Sequence, residues 1–153
     1  SDFYSIMGDV YHKKAMMTEA YNAYDSALVY NPSNIGALNN YAYYLSVERR
    51  ELDKAEEMSY KTVKADPGNA TYLDTYAWIL FEKGNYAEAR IYIDDAMKSD
   101  GEKSDVIVEH CGDIYYMTGD VDGALKYWQE ALDMGSESKT LKEKIKKKKY
   151  IAE

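Results

Sequence analysis

The sequence predicts an all-α chain built from four consecutive helix-turn-helix units and closed by a short terminal helix. Three observations carry that prediction. YNPSNIGALNNYAYYL, from Tyr30 to Leu45, returns as ADPGNATYLDTYAWIL, from Ala65 to Leu80, with the prolines and the Tyr-Ala pairs each 35 residues apart. A small residue following a large one recurs at Gly8, Ala42, Ala77 and Gly112, in steps of 34, 35 and 35. A later alanine recurs at Ala20, Ala55, Ala89 and Ala124, in steps of 35, 34 and 35. Two independent markers that stay in phase over four copies are the signature of stacked supersecondary units. The copies span residues 1–34, 35–69, 70–104 and 105–137, the closing helix spans 138–151, and residues 1–153 form one domain.

Each copy opens with large residues at i, i+3 and i+7, which share one helical face. These are Tyr4, Met7 and Tyr11, then Leu38, Tyr41 and Leu45, then Leu73, Tyr76 and Leu80, then Val108, Cys111 and Tyr115. The small residue at i+4 lets a second helix approach closely, and Ala20, Ala55, Ala89 and Ala124 do the same from the other side. Asn31-Pro32-Ser33-Asn34 and Asp66-Pro67-Gly68-Asn69 stop one helix and cap the next. Gly84 and Gly119 punctuate the inner turns of copies three and four. The extra residue of copy two falls near Glu48–Leu52, and that of copy three in a charged loop near Ser99–Ser104, where insertions cost little. The closing helix has a thin apolar line, Leu141 and Ile145, that would cover the bare face of copy four. Tyr4, Tyr11, Tyr24, Tyr41, Tyr76 and Tyr115 sit at large core positions, so packing accounts for them.

Composition narrows the function classes. The chain has 153 residues, 46% hydrophobic and 30% charged, which suits a globular domain rather than a disordered one. The net charge of −8 opposes nucleic acid and anionic membrane surfaces as partners. Residues 136–153 carry seven Lys and three Glu, a net of +4, which leaves −12 on the rest. The run Lys146–Lys149 is expected to be solvated, complementing a helix C-terminus. Neither a membrane-length apolar run nor a signal-peptide pattern is present. The first residue is Ser1 and nothing caps copy one, so a segment of a longer protein is expected.

A search for chemistry yields no catalytic constellation and no cofactor motif. Cys111 lies at a core position and is expected to be a buried thiol. Glu109-His110-Cys111-Gly112-Asp113 is a poor metal site, because one His with two carboxylates is a weak ligand set and Cys111 points elsewhere. His12 is expected to be a solvated surface side chain.

The repeat unit resembles the tetratricopeptide repeat (TPR). Copy one matches that family's pattern at Tyr4, Met7, Gly8, Tyr11, Ala20, Tyr24, Ala27 and Pro32, and copy four at Val108, Cys111, Gly112, Tyr115, Ala124, Trp128 and Ala131. Copy two departs at Ser59 and Thr62, and copy three lacks the closing Pro. The resemblance covers residues 2–135 and implies a right-handed superhelical solenoid whose concave groove is lined by the first helix of each pair. The stretches TYLDTYAWILFEKGNYAEARIYIDDAM and HCGDIYYMTGDVDGALKYWQEAL further resemble TPR regions near the C-terminus of bacterial proteins, many of them exported or lipid-anchored. That implies a role in bacterial assembly or the envelope and leaves cytoplasm or periplasm open.

On this resemblance the groove positions are Asp2, Ser5, Asp9 and His12; Gly36, Asn39, Tyr43 and Ser46; Thr71, Asp74, Trp78 and Phe81; Val106, Glu109, Asp113 and Tyr116. Acids and aromatics collect there, and the candidate peptide-binding residues are Asp9, Asn39, Tyr43, Asp74, Trp78, Phe81, Glu109, Asp113 and Tyr116. Burial between adjacent repeats is an equal account of Phe81 and Tyr116, whereas Tyr43 and Trp78 are expected to face the groove. The clamp of fixed positive charge that some TPR domains use for acidic C-terminal tails is not matched. Of Ser5, Asp9, Asn40, Thr71 and Thr75 only Asn40 fits, and a frame one repeat on gives Asn39, Tyr43, Thr75, Val106 and His110. The expected role is a non-catalytic scaffold for a neutral-to-basic peptide or partner helix with apolar anchors. The alternatives are self-association through the uncapped first copy, or a segment of an enzyme or sensor whose active domain lies outside this chain.

Overall fold

The computed structural model describes all residues 1–153, and its regular structure is entirely helical. It divides into two compact units, Ser1–Pro67 and Gly68–Glu153. The first holds α1 (Asp2–Lys13), α2 (Met17–Tyr30), α3 (Ile35–Val47) and α4 (Leu52–Ala65). The second holds α5 (Ala70–Glu82), α6 (Tyr86–Lys98), α7 (Asp105–Met117), α8 (Val121–Asp133) and α9 (Leu141–Lys147). Within the first unit α1 pairs with α2 and α3 with α4, and α2 packs on α3. Within the second α5 pairs with α6 and α7 with α8, while α6 and α5 pack on α7 and α9 on α8.

The repeat markers lie where the two helices of a pair approach most closely. Gly8, Ala42, Ala77 and Gly112 are buried, as are Ala20, Ala55, Ala89 and Ala124. A Cβ at Gly8 would lie 2.6 Å from the ring of Tyr24, and one at Gly112 would lie 2.5 Å from the ring of Trp128. The residues matching Tyr24 and Trp128 in copies two and three are Ser59 and Ile93, and there the small partner is Ala rather than Gly. A large ring is thus accompanied by Gly and a smaller side chain by Ala, which keeps the volume at the crossing roughly constant.

The first helix of copies two, three and four is capped as its sequence requires. Asn34 Oδ1 accepts from the Ala37 amide at 3.1 Å, Asn69 Oδ1 from Tyr72 at 3.1 Å and Ser104 Oγ from Ile107 at 3.4 Å. The inner turns share one backbone device: Ala15, Arg49, Gly84 and Gly119, at matching positions, all have positive φ, of 57, 55, 83 and 91°. In copy two Arg50 is inserted between this residue and the helix start, inside the expected Glu48–Leu52 stretch.

Three expectations need correction. The extra residue of copy three does not widen a solvent-exposed loop. Gly101–Lys103 form a 3-10 turn, and Gly101 is buried so tightly that a Cβ would lie 2.4 Å from the Ala96 carbonyl. The closing helix spans Leu141–Lys147 rather than 138–151, because Ser136 Oγ accepts from the Ser138 amide at 3.1 Å and Lys148 turns left-handed at φ 55°. Among the tyrosines, Tyr24, Tyr41 and Tyr76 are buried, but Tyr4, Tyr11 and Tyr115 are half-buried, and the unassigned Tyr21 is buried with its hydroxyl on Glu48 at 2.9 Å. The cap itself forms: Leu141 is buried with Val108, Ala124, Trp128 and Ala131, and Ile145 packs alongside.

A residue with a β-carbon in the left-handed region costs about 1–2 kcal/mol against glycine, part of which glycine's greater unfolded-state freedom cancels. Ala15→Gly, which gives copy one the residue that copies three and four use, should therefore raise stability by about 0.5–1 kcal/mol in denaturant titration. A neutral or destabilising result would show that the φ of 57° is not a source of strain.

Candidate functional site

In the second unit α5 and α7 lie side by side, and both are buried over long stretches, Leu73–Phe81 and Ile107–Ile114. Their polar side chains therefore need partners inside the protein. His110 Nδ1 donates to Asp74 Oδ1 at 2.8 Å. The imidazole stacks on Trp78 with a centroid separation of 4.0 Å, and Trp78 stacks on Phe81 at 4.4 Å. Asp74, His110, Trp78 and Phe81 form one continuous row across the two helices.

The carboxylates of α7 are met by a cation from α9. Lys144 Nζ lies 2.6 Å from Glu109 Oε2 and 2.9 Å from Asp113 Oδ1, and the lysine is only 2% exposed. Asp113 also accepts from Trp128 Nε1 at 2.9 Å, and Glu109 from Ser138 Oγ at 2.9 Å. The same segment supplies Tyr150, whose ring meets Phe81 edge to face at 5.2 Å and lies 5.2 Å from Lys144 Nζ. Residues 144–150 thus place one ammonium and one aromatic ring on the face that holds Glu109, Asp113, Trp78 and Phe81.

Burial and charge set the protonation of these groups. Burial pushes the Asp113 carboxyl up to about 6, against the lowering pull of Lys144. Burial alone would lower His110, but the Asp74 carboxylate, with Asp113 and Glu109 behind it, raises its pKa above the ordinary 6.5. Burial pushes the Cys111 thiol up, which leaves it a packed, unreactive sulfur.

The first unit carries a related arrangement. Asp9 accepts from the Tyr24 hydroxyl and from Asn40 Nδ2 at 3.1 Å. Asp9 and Asp113 occupy the same repeat position, each directly after the glycine that admits the ring and 15 residues before it. Asn39 is buried and its Oδ1 has no hydrogen-bond partner. Tyr43 is half-buried with its ring 5.9 Å from Tyr44. His12 is half-buried too, stacked on Tyr44 at 3.4 Å, and is not the free surface side chain that the sequence suggested.

The structure thus joins Asp74, Trp78 and Phe81 through His110, and joins Glu109 and Asp113 through Lys144. Tyr116 stands apart from that row, half-buried with its ring 5.9 Å from Trp128. The expectation that Trp78 projects openly into a groove is corrected: it is 8% exposed, held between His110 and Phe81. The expectation that Asp74, Glu109 and Asp113 would confront a ligand as bare negative charge is corrected as well, since each has a partner within the chain. Lys146–Lys149 are exposed as expected. Sequence reasoning missed Lys144, His110 and Tyr150. A signal for Lys144 was present: it lies three residues after Leu141 and one before Ile145, on the apolar line of its helix.

No protein-family model and no curated protein matches the chain. Solved structures do. PilF of Pseudomonas aeruginosa superposes with a TM-score of 0.81 at 22% identity, covering 96% of this chain and 66% of that one. TTC0263, a thermophilic TPR protein of Thermus thermophilus, gives 0.76 at 15% identity, covering 95% and 79%. A tetratricopeptide repeat protein of Parabacteroides merdae gives 0.65 at 17%, covering 95% and 69%. The fold is the all-α tetratricopeptide-repeat fold. No helix is long and apolar enough to cross a membrane.

The His110–Asp74 pair implies a pH dependence of defined sign. Because the folded-state pKa of His110 lies above 6.5, its contribution to stability is complete below about 6.5 and is lost as pH rises through the folded value. Thermal melts between about pH 6.5 and 9 should show wild type losing stability relative to Asp74→Asn, which lacks the counter-charge. Parallel profiles for the two proteins would mean that His110 is neutral throughout this range.

Proposed function

We infer that this chain is a non-catalytic scaffold that holds a neutral-to-basic extended segment, with an aromatic or apolar anchor, against the first helices of its repeats. The supporting observation is the occupancy of that face in the second unit. Glu109 and Asp113 already hold an ammonium group, and Phe81 already holds a tyrosine ring. Chemistry that accommodates Lys144 and Tyr150 is suited to the same pair of groups on a partner. In the first unit Asp9, Asn39 and Tyr43 offer a carboxylate, a buried amide oxygen without a donor and a half-buried ring.

An acidic partner is disfavoured. The chain outside residues 136–153 carries a net charge of −12, and like charges brought together across an interface repel. A basic and an acidic peptide of matched hydrophobicity, titrated into the protein by calorimetry, should differ by at least about tenfold in affinity, which is about 1.4 kcal/mol. The basic peptide should bind more tightly, and its advantage should shrink as salt rises. Tighter binding of the acidic peptide would overturn this reading.

A second reading, self-association through the first copy, has one observation in its favour. Phe3, Ile6 and Val10 form an exposed apolar line on α1, while the residues at the same positions of copy four, Ile107, His110 and Ile114, are buried. If this line pairs with a second copy, sedimentation should reveal a concentration-dependent dimer that Ile6→Lys abolishes. A monomer at all concentrations would remove this reading.

A further inference from the structure

We propose that α9 and the residues after it, 141–150, are an exchangeable occupant of the ligand face in the second unit, displaced by a partner segment that presents a lysine and an aromatic residue in the same way. This inference rests on the scaffold reading above and specifies how that site is regulated.

The contacts of the C-terminal segment fall into two sets with different physical character. Leu141 and Ile145 lie on the apolar cluster of Val108, Trp128 and Ala131, as a cap must. Lys144 and Tyr150 differ in chemistry and meet two carboxylates and Phe81. A cap needs no buried charge. Apolar residues in place of a buried ion pair are often as stable or more so, whereas a buried pair imposes a specific register. The lysine on the covering side of the end helix therefore does more than cap: it gives the two carboxylates the cation they require, and an ammonium group from a partner would meet the same requirement.

The segment is also built to leave. α9 has only seven residues, well short of the length at which an isolated helix persists in water. It is joined to α8 through Gly135, at φ 91°, and the irregular residues 136–140. Beyond Lys148 the chain is not helical, and Lys146–Lys149 are exposed, so an opened segment would be well solvated. Residues 136–153 carry a net charge of +4 against −12 for the rest, which favours rebinding over aggregation. A tethered occupant lowers the apparent affinity for any competitor in proportion to the fraction of molecules that are open.

The probe is a synthetic peptide of residues 139–153, with a Lys144→Glu version as control. Full-length wild type and the full-length double variant Lys144→Gln/Tyr150→Ala, which keeps Leu141 and Ile145, are titrated in parallel. The variant should bind the peptide at least about tenfold more tightly than wild type, corresponding to an open fraction of about one tenth or less in wild type. The control peptide should bind neither. Equal affinity of the two proteins would overturn the exchange and leave the scaffold reading standing; binding to neither, with the basic peptide of the previous section also failing, would overturn both. Hydrogen exchange on wild type guards against a variant that fails to fold. Saturating peptide should speed exchange of the α9 amides while α8 stays protected, and unchanged α9 protection would overturn the exchange by itself.

Discussion

The constraint on which each helix pair depends is the fixed volume shared at the crossing by a Gly or Ala of the first helix and its partner on the second, a ring opposite Gly and a smaller side chain opposite Ala. At Gly8 and Gly112 no Cβ fits, because a tyrosine or tryptophan ring already occupies the space. Such a ring carries a polar hydrogen into the interior, and a buried donor without an acceptor costs about 1–3 kcal/mol. Asp9 and Asp113 supply the acceptor. Each aspartate immediately follows its glycine, so a dipeptide specifies both the close approach and the polar satisfaction. Copies two and three, with Ser59 and Ile93 in place of the ring, have Tyr43 and Trp78 where the aspartate would be.

The carboxylates brought inside by this arrangement create a second requirement. Asp113 is buried, and Glu109 lies one turn away on the same helix. Two buried carboxylates with no cation would be strongly unfavourable, and removing one partner of a buried pair costs about 3–5 kcal/mol. Lys144 meets that requirement from the end of the chain. The helix that covers the apolar face of copy four is therefore also the one that neutralises its acids. A similar logic holds at Asp74, where His110 supplies the donor and then stacks on Trp78.

These two layers explain why the face proposed to take a ligand is not vacant. Aromatic rings in a row and acids beside them are costly to leave uncovered, and a short basic segment at the C-terminus is physically adapted to cover them. Tyr150 on Phe81 and Lys144 on Glu109 are small, separable contacts rather than a continuous core. The Tyr150 contact lies outside the tight crossings at Gly8 and Gly112, whereas Lys144 also meets Asp113, the acceptor for the ring at the Gly112 crossing, so a new occupant has to supply an ammonium group there to leave the fold intact.

The period of the sequence by itself determined the helix count, the pairing partners, the small-residue crossings and the caps at Asn34 and Asn69. Each follows from local geometry: 3.6 residues per turn, a left-handed residue in the turn, a side-chain oxygen before a helix. Nine helices stand where the pattern placed them, apart from the trimmed ends of α9. The candidate binding residues were legible only as a set on one face of the first helices. Whether that face was open could not be read from spacing, because the groups that close over Trp78 and Phe81 come from distant parts of the chain, at His110 and Tyr150. Tertiary structure alone decided that Trp78 is stacked, that Asp113 is neutralised and that Lys144 of α9 rests on the acids of α7. Burial converts exposed charge into an obligation for a partner, and only the folded chain shows which partner arrives.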